Sequence, residues 1–302
     1  MSTHFASSGN LLADRRFEFA QALAERGEIE AAADLMAQTV ALSPSFASAW
    51  FALGDFQERL GQGTQAENSF RQALRHEPAD HHGATLRLTR LGVAAPAMTP
   101  AYVETLFDQY AERFDHALVD GLAYRGPALL RAAIERASSP SRRFAHMLDL
   151  GCGTGLAGEA FRHMAERMSG VDLSAGMLAA ARARNLYADL AQTDLAAFLA
   201  VSRARYDLVI AADVFAYLSD LAPVCAAVSG VLAPAGLFGF SVETHAGDGV
   251  VLGEKLRYAH GGTHVRAALA AAKLSIIEME PASARNEAGV PVAGLVVVAS
   301  PA

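Results

Sequence analysis

The sequence predicts a two-domain protein in which an all-α domain over residues 1–95 precedes an α/β domain over residues 96–302. Three observations support this fold class. Residues 1–90 contain only helix-like patterns, strand-like and helix-like segments alternate from about residue 144, and a glycine-rich loop, Asp149–Gly155, separates the first such strand from a helix. Regular β–α alternation predicts a mostly parallel sheet that is covered on both faces.

The first 90 residues contain an internal spacing of 34 residues. Ala20, Gly27, Ala32 and Pro44 precede Gly54, Gly61, Ala66 and Pro78 by that interval. The second set, with Trp50, Leu53, Phe70 and Ala73, resembles the tetratricopeptide pattern of helix–turn–helix repeats. Gln57 departs from it, standing where an aromatic residue is usual. The resemblance covers residues 13–80 and implies two repeats. An ordinary pair of helical hairpins is the alternative interpretation.

A third helix, Asp80–Leu91, is expected to cap these repeats, and residues 92–100 are a candidate linker. Two repeats are too few for a free-standing solenoid, so we expect them to pack on the second domain, on another copy of the chain or on a protein partner. Aromatic residues at helical spacing then predict one helix over Tyr102–Leu118, with Phe107, Tyr110 and Phe114 on it. A lid over the second domain and a plain amphipathic helix both fit this segment.

Seven strands and four connecting helices are predicted in the second domain. The strands are 144–150, 168–172, 188–193, 206–212, 236–242, 274–280 and 295–299, and the helices are 156–166, 175–184, 195–200 and 223–231. No helix fits between the last two strands, so the final strand is expected to return antiparallel.

The glycine loop reads Asp-Leu-Gly-Cys-Gly-Thr-Gly from Asp149 to Gly155. A dinucleotide fingerprint would require a third glycine where Leu156 stands, and no phosphate-loop lysine follows. The loop also lacks any Lys or Arg that could meet a phosphate, and a carboxylate precedes its first glycine. It therefore favours a nucleoside that carries a positive charge and no phosphate.

Three carboxylates lie at the carboxyl ends of the first three predicted strands, where ligands bind in such sheets. Asp149 precedes the glycines, Asp172 could accept hydrogen bonds from ribose hydroxyls, and Asp194 could accept one from an adenine amino group. Each has a structural alternative as the cap of a neighbouring turn or helix. For Asp172 this alternative is the weaker one, because Ser174 fits the capping position better.

These residues, with Val171–Ser174, Met177, Leu178 and Ala181, then Tyr206–Val209 and Leu232–Gly236, resemble class I S-adenosylmethionine-dependent methyltransferases. With the helical segment, the chain resembles the bacterial group that carries N-terminal tetratricopeptide repeats. The resemblance implies a Rossmann-like, seven-stranded sheet with its last strand antiparallel. It also implies S-adenosylmethionine as cofactor and S-adenosylhomocysteine as product. The implied cofactor-binding residues are Asp149, Gly151, Cys152, Gly153, Thr154, Gly155, Asp172, Leu173, Met177, Thr193, Asp194, Leu195, Asp213, Tyr102 and Tyr110.

Acceptor residues are expected in the loops after the fourth and fifth strands and before the sixth. The catalytic candidates are His245, Tyr258 and His260, and the substrate-binding candidates are Phe215, Tyr217, Glu243, Arg257 and Arg285. An arginine suits an anionic acceptor, and a histidine can act as a base near neutral pH. Alternatively, His245 is solvent-facing and Arg257–His260 is a helix surface. No metal site is expected, since His260 and His264 lack a third ligand.

The expected function is methyl transfer to a small acidic or hydroxylated molecule. Alternatives are a protein or peptide methyltransferase that recruits its substrate through the repeats, and a non-catalytic cofactor-binding protein. The net charge of −7 argues against a nucleic-acid partner. Two cysteines without a CxxC pair fit a reducing cytoplasm. No signal peptide or membrane-spanning run is visible, so we expect a cytoplasmic protein without a membrane partner.

Overall fold

The computed structural model describes residues 7–139 and 141–302, apart from the side chains of Val119 and Asp120. It divides into two compact units, one ending at Thr105 and the other spanning Leu106–Ala302. This division lies ten residues beyond the predicted boundary at residue 95. Within the first unit, Tyr102 packs over Gly83, where a Cβ would lie 2.7 Å from its ring, so the linker belongs with the helices.

The first unit consists of helices. They are α1 (Leu11–Glu25), α2 (Ile29–Leu42), α3 (Ala47–Arg59), α4 (Gly63–His76) and α5 (Ala84–Arg90), followed by α6 (Pro100–Tyr110), which crosses the division. Gly27 and Gly61 have φ angles of 84° and 74° in the α1–α2 and α3–α4 turns, which only glycine adopts readily. Gly54 lies under Phe70, where a Cβ would be 2.6 Å from the ring. Close packing therefore accounts for the glycine at this position.

The predicted third helix starts later than expected. Asp80 has a φ of 62°, and its carboxylate accepts hydrogen bonds from the backbone N–H groups of Ala84 (2.6 Å) and Thr85 (3.0 Å). These bonds satisfy donors at the first turn of α5. The prediction of a helix from residue 80 is therefore wrong at its start, because Asp80 caps the helix instead of joining it.

The second unit alternates helices and strands. It contains α7 (Gly126–Ala137), β1 (Phe144–Leu150), α8 (Leu156–Phe161), β2 (Ala165–Asp172), α9 (Ala175–Ala183), β3 (Asp189–Gln192), α10 (Leu195–Val201), β4 (Tyr206–Ala211) and α11 (Ala222–Val231). These are followed by β5 (Leu232–His245), β6 (Val250–Leu252), β7 (Tyr258–Gly261), α12 (Gly262–Ala271), β8 (Leu274–Pro281), β9 (Asn286–Glu287), β10 (Val290–Pro291) and β11 (Gly294–Pro301).

The seven predicted strands form one sheet in the order β3-β2-β1-β4-β5-β11-β8. The pairs from β3 to β5 are parallel, whereas β11 runs antiparallel to both β5 and β8. The antiparallel return of the last strand is thus confirmed. The strand count of seven is corrected to nine, because β7 pairs with the end of β5 and β6 pairs with β7. Tyr258–His260 therefore lie in a strand that Arg257 directly precedes, and the helix-surface interpretation of residues 257–260 is wrong.

Helices cover both faces of this sheet. Alternate residues of β4 show the division, since Val209 joins the core under α10, α11 and α12 while Leu208 and Ile210 join the core under α7 and α8. Period-two alternation produces this split because successive strand side chains point to opposite faces. Burying each such side chain stabilises the fold by about 1.5–3 kcal/mol.

Two predicted helices have different bounds. The helix expected over 156–166 ends at Phe161, because β1 pairs with β2 from its first residue, Phe144 opposite Ala165, and draws residues 165–167 into the sheet. The single helix expected over 102–118 breaks after Tyr110 into a 3-10 turn, Ala111–Arg113, and a π-helical turn, His116–Gly121. Among the described residues, no helix has the length and apolar character needed to cross a membrane.

Candidate cofactor and acceptor site

The glycine loop connects β1 to α8 at the carboxyl edge of the sheet. Gly151, Gly153 and Gly155 all have positive φ angles, 64°, 54° and 94°. A Cβ on Gly151 would lie 2.6 Å from a methyl carbon of Val214, while one on Gly153 would have no described atom within 4 Å. The first glycine is therefore required by packing after β4, and the second leaves backbone open to a ligand.

Asp172 ends β2 and points its carboxylate at this loop. Its Oδ2 accepts a hydrogen bond from Gly153 N and its Oδ1 accepts one from Ser174 N, both at 2.9 Å. Ser174 caps α9, since its Oγ accepts from Met177 N at 3.0 Å. The sequence preference for Ser174 over Asp172 as the cap is thus confirmed. Each carboxylate oxygen keeps lone-pair capacity for a further donor such as a hydroxyl.

Asp194 follows β3 and caps α10, which begins at Leu195. Its Oδ1 accepts hydrogen bonds from Ala196 N (2.9 Å) and Ala197 N (3.1 Å). Asp194 therefore caps α10, as its structural alternative predicted, and the cap uses only one of its two carboxylate oxygens. Thr193 N, just before it, donates to Asp172 O at 3.1 Å and joins the ends of β2 and β3.

Several predicted cofactor residues are enclosed by protein. Met177 is fully buried in α9, and Cys152 is buried in the loop. Burial raises the pKa of the Cys152 thiol well above its usual range, and the nearby Asp149 and Asp172 add to this effect. This disfavours a nucleophilic role for Cys152, because the thiolate is the reactive form of a cysteine. Leu173 contributes a backbone oxygen that accepts from Gln192 Nε2 at 3.2 Å.

The segment after Thr105 is attached to both cofactor loops by two aspartates. Asp108 Oδ1 accepts hydrogen bonds from Ser174 Oγ (2.5 Å) and Gly176 N (3.1 Å). Asp115 accepts from Thr154 Oγ1 and forms an ion pair with Arg184, each at 2.5 Å. Charge-assisted bonds of this kind are stronger than neutral ones. The segment 106–121 thus lies against the loops after β1 and β2.

Aromatic rings of the same segment contact one another and the loop after β4. Phe107 meets Tyr217 edge-on with ring centroids 5.1 Å apart, and Phe114 lies 5.9 Å from Tyr110 in the same manner. Tyr110 therefore packs against Phe114, and we call these four rings, Phe107, Tyr110, Phe114 and Tyr217, the aromatic group. Tyr102 belongs to the helical unit, where burial raises its pKa.

Asp213 follows β4 with a φ of 61°, a strained angle for a residue with a side chain. Its backbone N–H donates to Ser241 Oγ at 2.9 Å, which holds this conformation. Its carboxylate receives Arg257 Nη2 at 2.8 Å and Arg285 Nη1 at 3.1 Å. Asp213 thus joins a group of charged side chains at the edge of the sheet.

We call this group the charge cluster; it comprises Asp213, Glu243, Lys255, Arg257, Arg285 and Glu287. Arg257 and Arg285 both bind Glu243, the latter at 2.6 Å, and Arg285 and Lys255 bind Glu287 at 2.9 and 3.0 Å. Three cationic and three anionic groups sum formally to zero charge. Arg285 is 4% exposed, so it lies buried among these carboxylates.

Tyr217 connects the charge cluster to the aromatic group. Its hydroxyl accepts a hydrogen bond from Arg257 Nη1 at 2.7 Å, and burial raises its pKa to about 12. Tyr217 is therefore protonated at neutral pH, and its O–H can still donate to an acceptor. Phe215, two residues earlier, is fully buried against Phe240 with centroids 5.0 Å apart.

The three predicted catalytic residues have different surroundings. The His245 Nδ1 accepts from Gly247 N (3.1 Å) and its Nε2 donates to Gly249 O (3.3 Å), so both ring nitrogens are occupied within its own loop. His260 is fully buried on β7 and donates from Nε2 to Phe215 O at 3.1 Å. Its Nδ1 and the Tyr258 hydroxyl are buried without a hydrogen-bond partner among the described residues. Burial lowers the pKa of His260, which favours the neutral ring.

The structure thus gathers the candidates into two groups. The loops after β1, β2 and β3 bring together Asp149, Gly151, Gly153, Asp172 and Asp194. Beyond β4 and β5 lie Asp213, Glu243, Arg257 and Arg285. Sequence reasoning assigned no role to Tyr187, Ser241 or Arg184. Tyr187 donates to Asp149 Oδ2 at 2.6 Å. The sequence signal for it was the glycines at 155, 158 and 170, whose missing side chains leave room for the Tyr187 ring.

The loop residues fit a cationic nucleoside. The Asp149 Oδ1 is buried and receives no hydrogen bond from the part of the chain that is described, so an acceptor remains for a positively charged donor. Asp172 has capacity for hydroxyls, and the open backbone at Gly153 permits close approach. The described residues contain no group of three side chains able to hold a metal ion.

Known proteins match this part of the chain. Residues 147–236 match the family model described as "Methyltransferase domain". A malonyl-[acyl-carrier protein] O-methyltransferase of Serratia marcescens is 33% identical over 128 residues, which are 41% of this chain and 48% of that protein. A ubiquinone biosynthesis O-methyltransferase of a Bradyrhizobium strain is 33% identical over 96 residues, 30% of this chain and 37% of that protein.

A solved structure shares the fold of the α/β unit. It is an S-adenosylmethionine-dependent methyltransferase from Clostridium acetobutylicum, with a TM-score of 0.50 and 18% identity. The alignment covers 65% of this chain and 99% of that one. By contrast, the chain spans less than half the length of the curated relatives that it matches.

Proposed function

We propose that this chain, which contains a methyltransferase domain of the S-adenosylmethionine-dependent class, transfers a methyl group to an oxygen of a small acidic or hydroxylated molecule. The observation that carries the proposal is the carboxyl edge of the sheet. There, three glycines with positive φ and the carboxylates of Asp149 and Asp172 form a site suited to a cationic nucleoside. When bound, S-adenosylmethionine would supply an activated methyl group and leave as S-adenosylhomocysteine.

The residues of the two loops would hold this cofactor in a fixed orientation. We assign Asp172 to the ribose hydroxyls, Asp194 to the adenine amino group through its uncapped oxygen, and Gly151 and Gly153 to the methionine part. Asp108 and Asp115 hold the aromatic segment against the loops, which would limit access of water. Alignment of the reacting groups and exclusion of water supply much of the rate enhancement in such a displacement.

One observation favours an oxygen acceptor. Both curated relatives described above are named as O-methyltransferases. A carboxylate would attack without losing a proton, whereas a hydroxyl would need a base. For a hydroxyl acceptor we favour His260 over His245, because only His260 keeps an unpartnered ring nitrogen in the described structure.

The acceptor class can be tested by measuring S-adenosylhomocysteine release with short carboxylic acids, their thioesters and phenols. We expect at least one of these classes to stimulate release, and Asp172→Ala to abolish it. The outcome against the proposal is a chain that binds S-adenosylmethionine but releases no product with any oxygen acceptor.

The helical unit supports a second candidate, a peptide methyltransferase that recruits its substrate through tetratricopeptide repeats. Its support is the 34-residue interval between Gly27 and Gly61, which both turn between paired helices with positive φ. Deleting residues 1–95 leaves α6 whole and separates the candidates. Loss of peptide methylation with retained methylation of a small molecule would favour recruitment, and unchanged peptide methylation would exclude it.

A further inference from the structure

Tyr187 lies in a space created by three glycines beneath the cofactor loop. A Cβ on Gly158 would lie 2.4 Å from the Tyr187 hydroxyl oxygen, one on Gly170 would lie 3.1 Å from its ring, and one on Gly155 would lie 3.3 Å from it. Contacts under about 3 Å cannot be accommodated in a close-packed interior without displacement. The ring therefore has one defined position, set by the start of α8 and by β2.

From that position Tyr187 holds one oxygen of Asp149. Its hydroxyl donates to Asp149 Oδ2 at 2.6 Å, and Asp149 is 1% exposed. The other oxygen, Oδ1, is buried and has no donor among the described residues. A buried carboxylate with one satisfied and one unsatisfied oxygen is costly unless a ligand completes it.

The groups facing Asp149 disfavour its ionised form. The pKa of Asp149 is raised to about 7, chiefly by burial, while the Tyr187 hydrogen bond lowers this pKa and the neighbouring Asp172 raises it. Cys152 and Tyr124 also face it, and burial raises the pKa of both well above their usual ranges. None of these groups is a cation. A positively charged ligand would therefore bring to this carboxylate a charge that none of these described groups supplies.

We propose that Tyr187 is a positioning residue for the cofactor, holding Asp149 Oδ2 so that the ionised Oδ1 receives the positively charged part of S-adenosylmethionine. This inference rests on the proposed function. Because a cation binds the ionised carboxylate, affinity follows the ionised fraction of Asp149. Below pH 7 the affinity should fall about tenfold per pH unit and above pH 8 it should level off.

The test is calorimetric titration of the full chain with S-adenosylmethionine between pH 5.5 and 8.5, with circular dichroism confirming the fold at each pH. Tyr187→Phe keeps the ring and removes the donor. The pKa of Asp149 should then rise by about one unit, weakening binding about tenfold at pH 6 and little at pH 8.5. Asp149→Asn should abolish the inflection near pH 7. Tyr206→Phe is the matched control, a buried tyrosine on β4.

The outcomes distinguish a failure of the proposed function from a failure of the positioning role of Tyr187. Absence of binding in the unaltered chain at every pH overturns the proposed function. Binding with an inflection that Tyr187→Phe leaves in place, or a loss of affinity equal at all pH values, overturns the positioning role. A shift in Tyr187→Phe that Tyr206→Phe does not share supports it.

Discussion

Replacing Arg285 by methionine would test whether the charge cluster is a structural requirement of the α/β unit. Arg285 is 4% exposed and binds Asp213 (3.1 Å), Glu243 (2.6 Å) and Glu287 (2.9 Å). Methionine keeps much of the length but leaves Asp213 and Glu243 to share Arg257 alone. Breaking a buried pair on one side costs about 3–5 kcal/mol. We expect a loss of about 3 kcal/mol, because the two carboxylates are 16% exposed and water relieves part of the penalty.

The assay is urea unfolding followed by far-ultraviolet circular dichroism. The single tryptophan, Trp50, lies in the helical unit, so its fluorescence reports that unit separately. Arg136→Met is the matched control, because Arg136 is 58% exposed and also pairs with a carboxylate on another element, Glu278. It should cost less than about 1 kcal/mol. An Arg285→Met loss as small as that of the control would refute the reasoning.

Three further substitutions test separate parts of the site. Gly151→Ala should destabilise the α/β unit by about 1–3 kcal/mol in thermal unfolding, since its Cβ would lie 2.6 Å from Val214 at a φ of 64°. The control Gly230→Ala, where a Cβ on α11 would meet open space, should cause no such loss. Equal losses in the two variants would contradict this reasoning. Asp194→Ala should lower the free energy of unfolding by about 1 kcal/mol, because it removes the cap of α10, and it should also weaken cofactor binding. If stability falls while cofactor affinity stays the same, Asp194 acts only as a helix cap. Asp108→Ala should speed amide hydrogen exchange at Gly176 by removing its acceptor, and unchanged exchange would argue against the attachment of the segment.

The glycine loop could be predicted from the sequence because its geometry is encoded locally. Gly151, Gly153 and Gly155 all adopt angles that disfavour other residues, and Ser174 caps α9 as its position relative to the helix predicts. The seven main strands were also predictable, since strands that are buried on both faces of a sheet read as short apolar runs. In each case the signal lies within a few residues of the feature.

Features that depend on distant partners were not predictable in this way. Arg257 and Arg285 meet Asp213 and Glu243 only after β5, β7 and the segment beyond β8 are assembled. The strand β7 itself follows from pairing with the end of β5, which overrides the weak local pattern of Tyr258–Gly261. The hydrogen bond of Tyr187 could not be predicted locally because its partner, Asp149, is 38 residues earlier in the chain.

The most direct test of the account is calorimetric titration of the full chain with S-adenosylmethionine and, in parallel, with NADH. We expect one S-adenosylmethionine per chain, with a dissociation constant between about 1 μM and 1 mM, and no heat from NADH. Asp172→Ala should abolish the binding by removing the carboxylate assigned to the ribose hydroxyls, which also accepts from Gly153 N and Ser174 N. Binding of NADH in place of S-adenosylmethionine, or unchanged affinity in Asp172→Ala, would contradict the central claim.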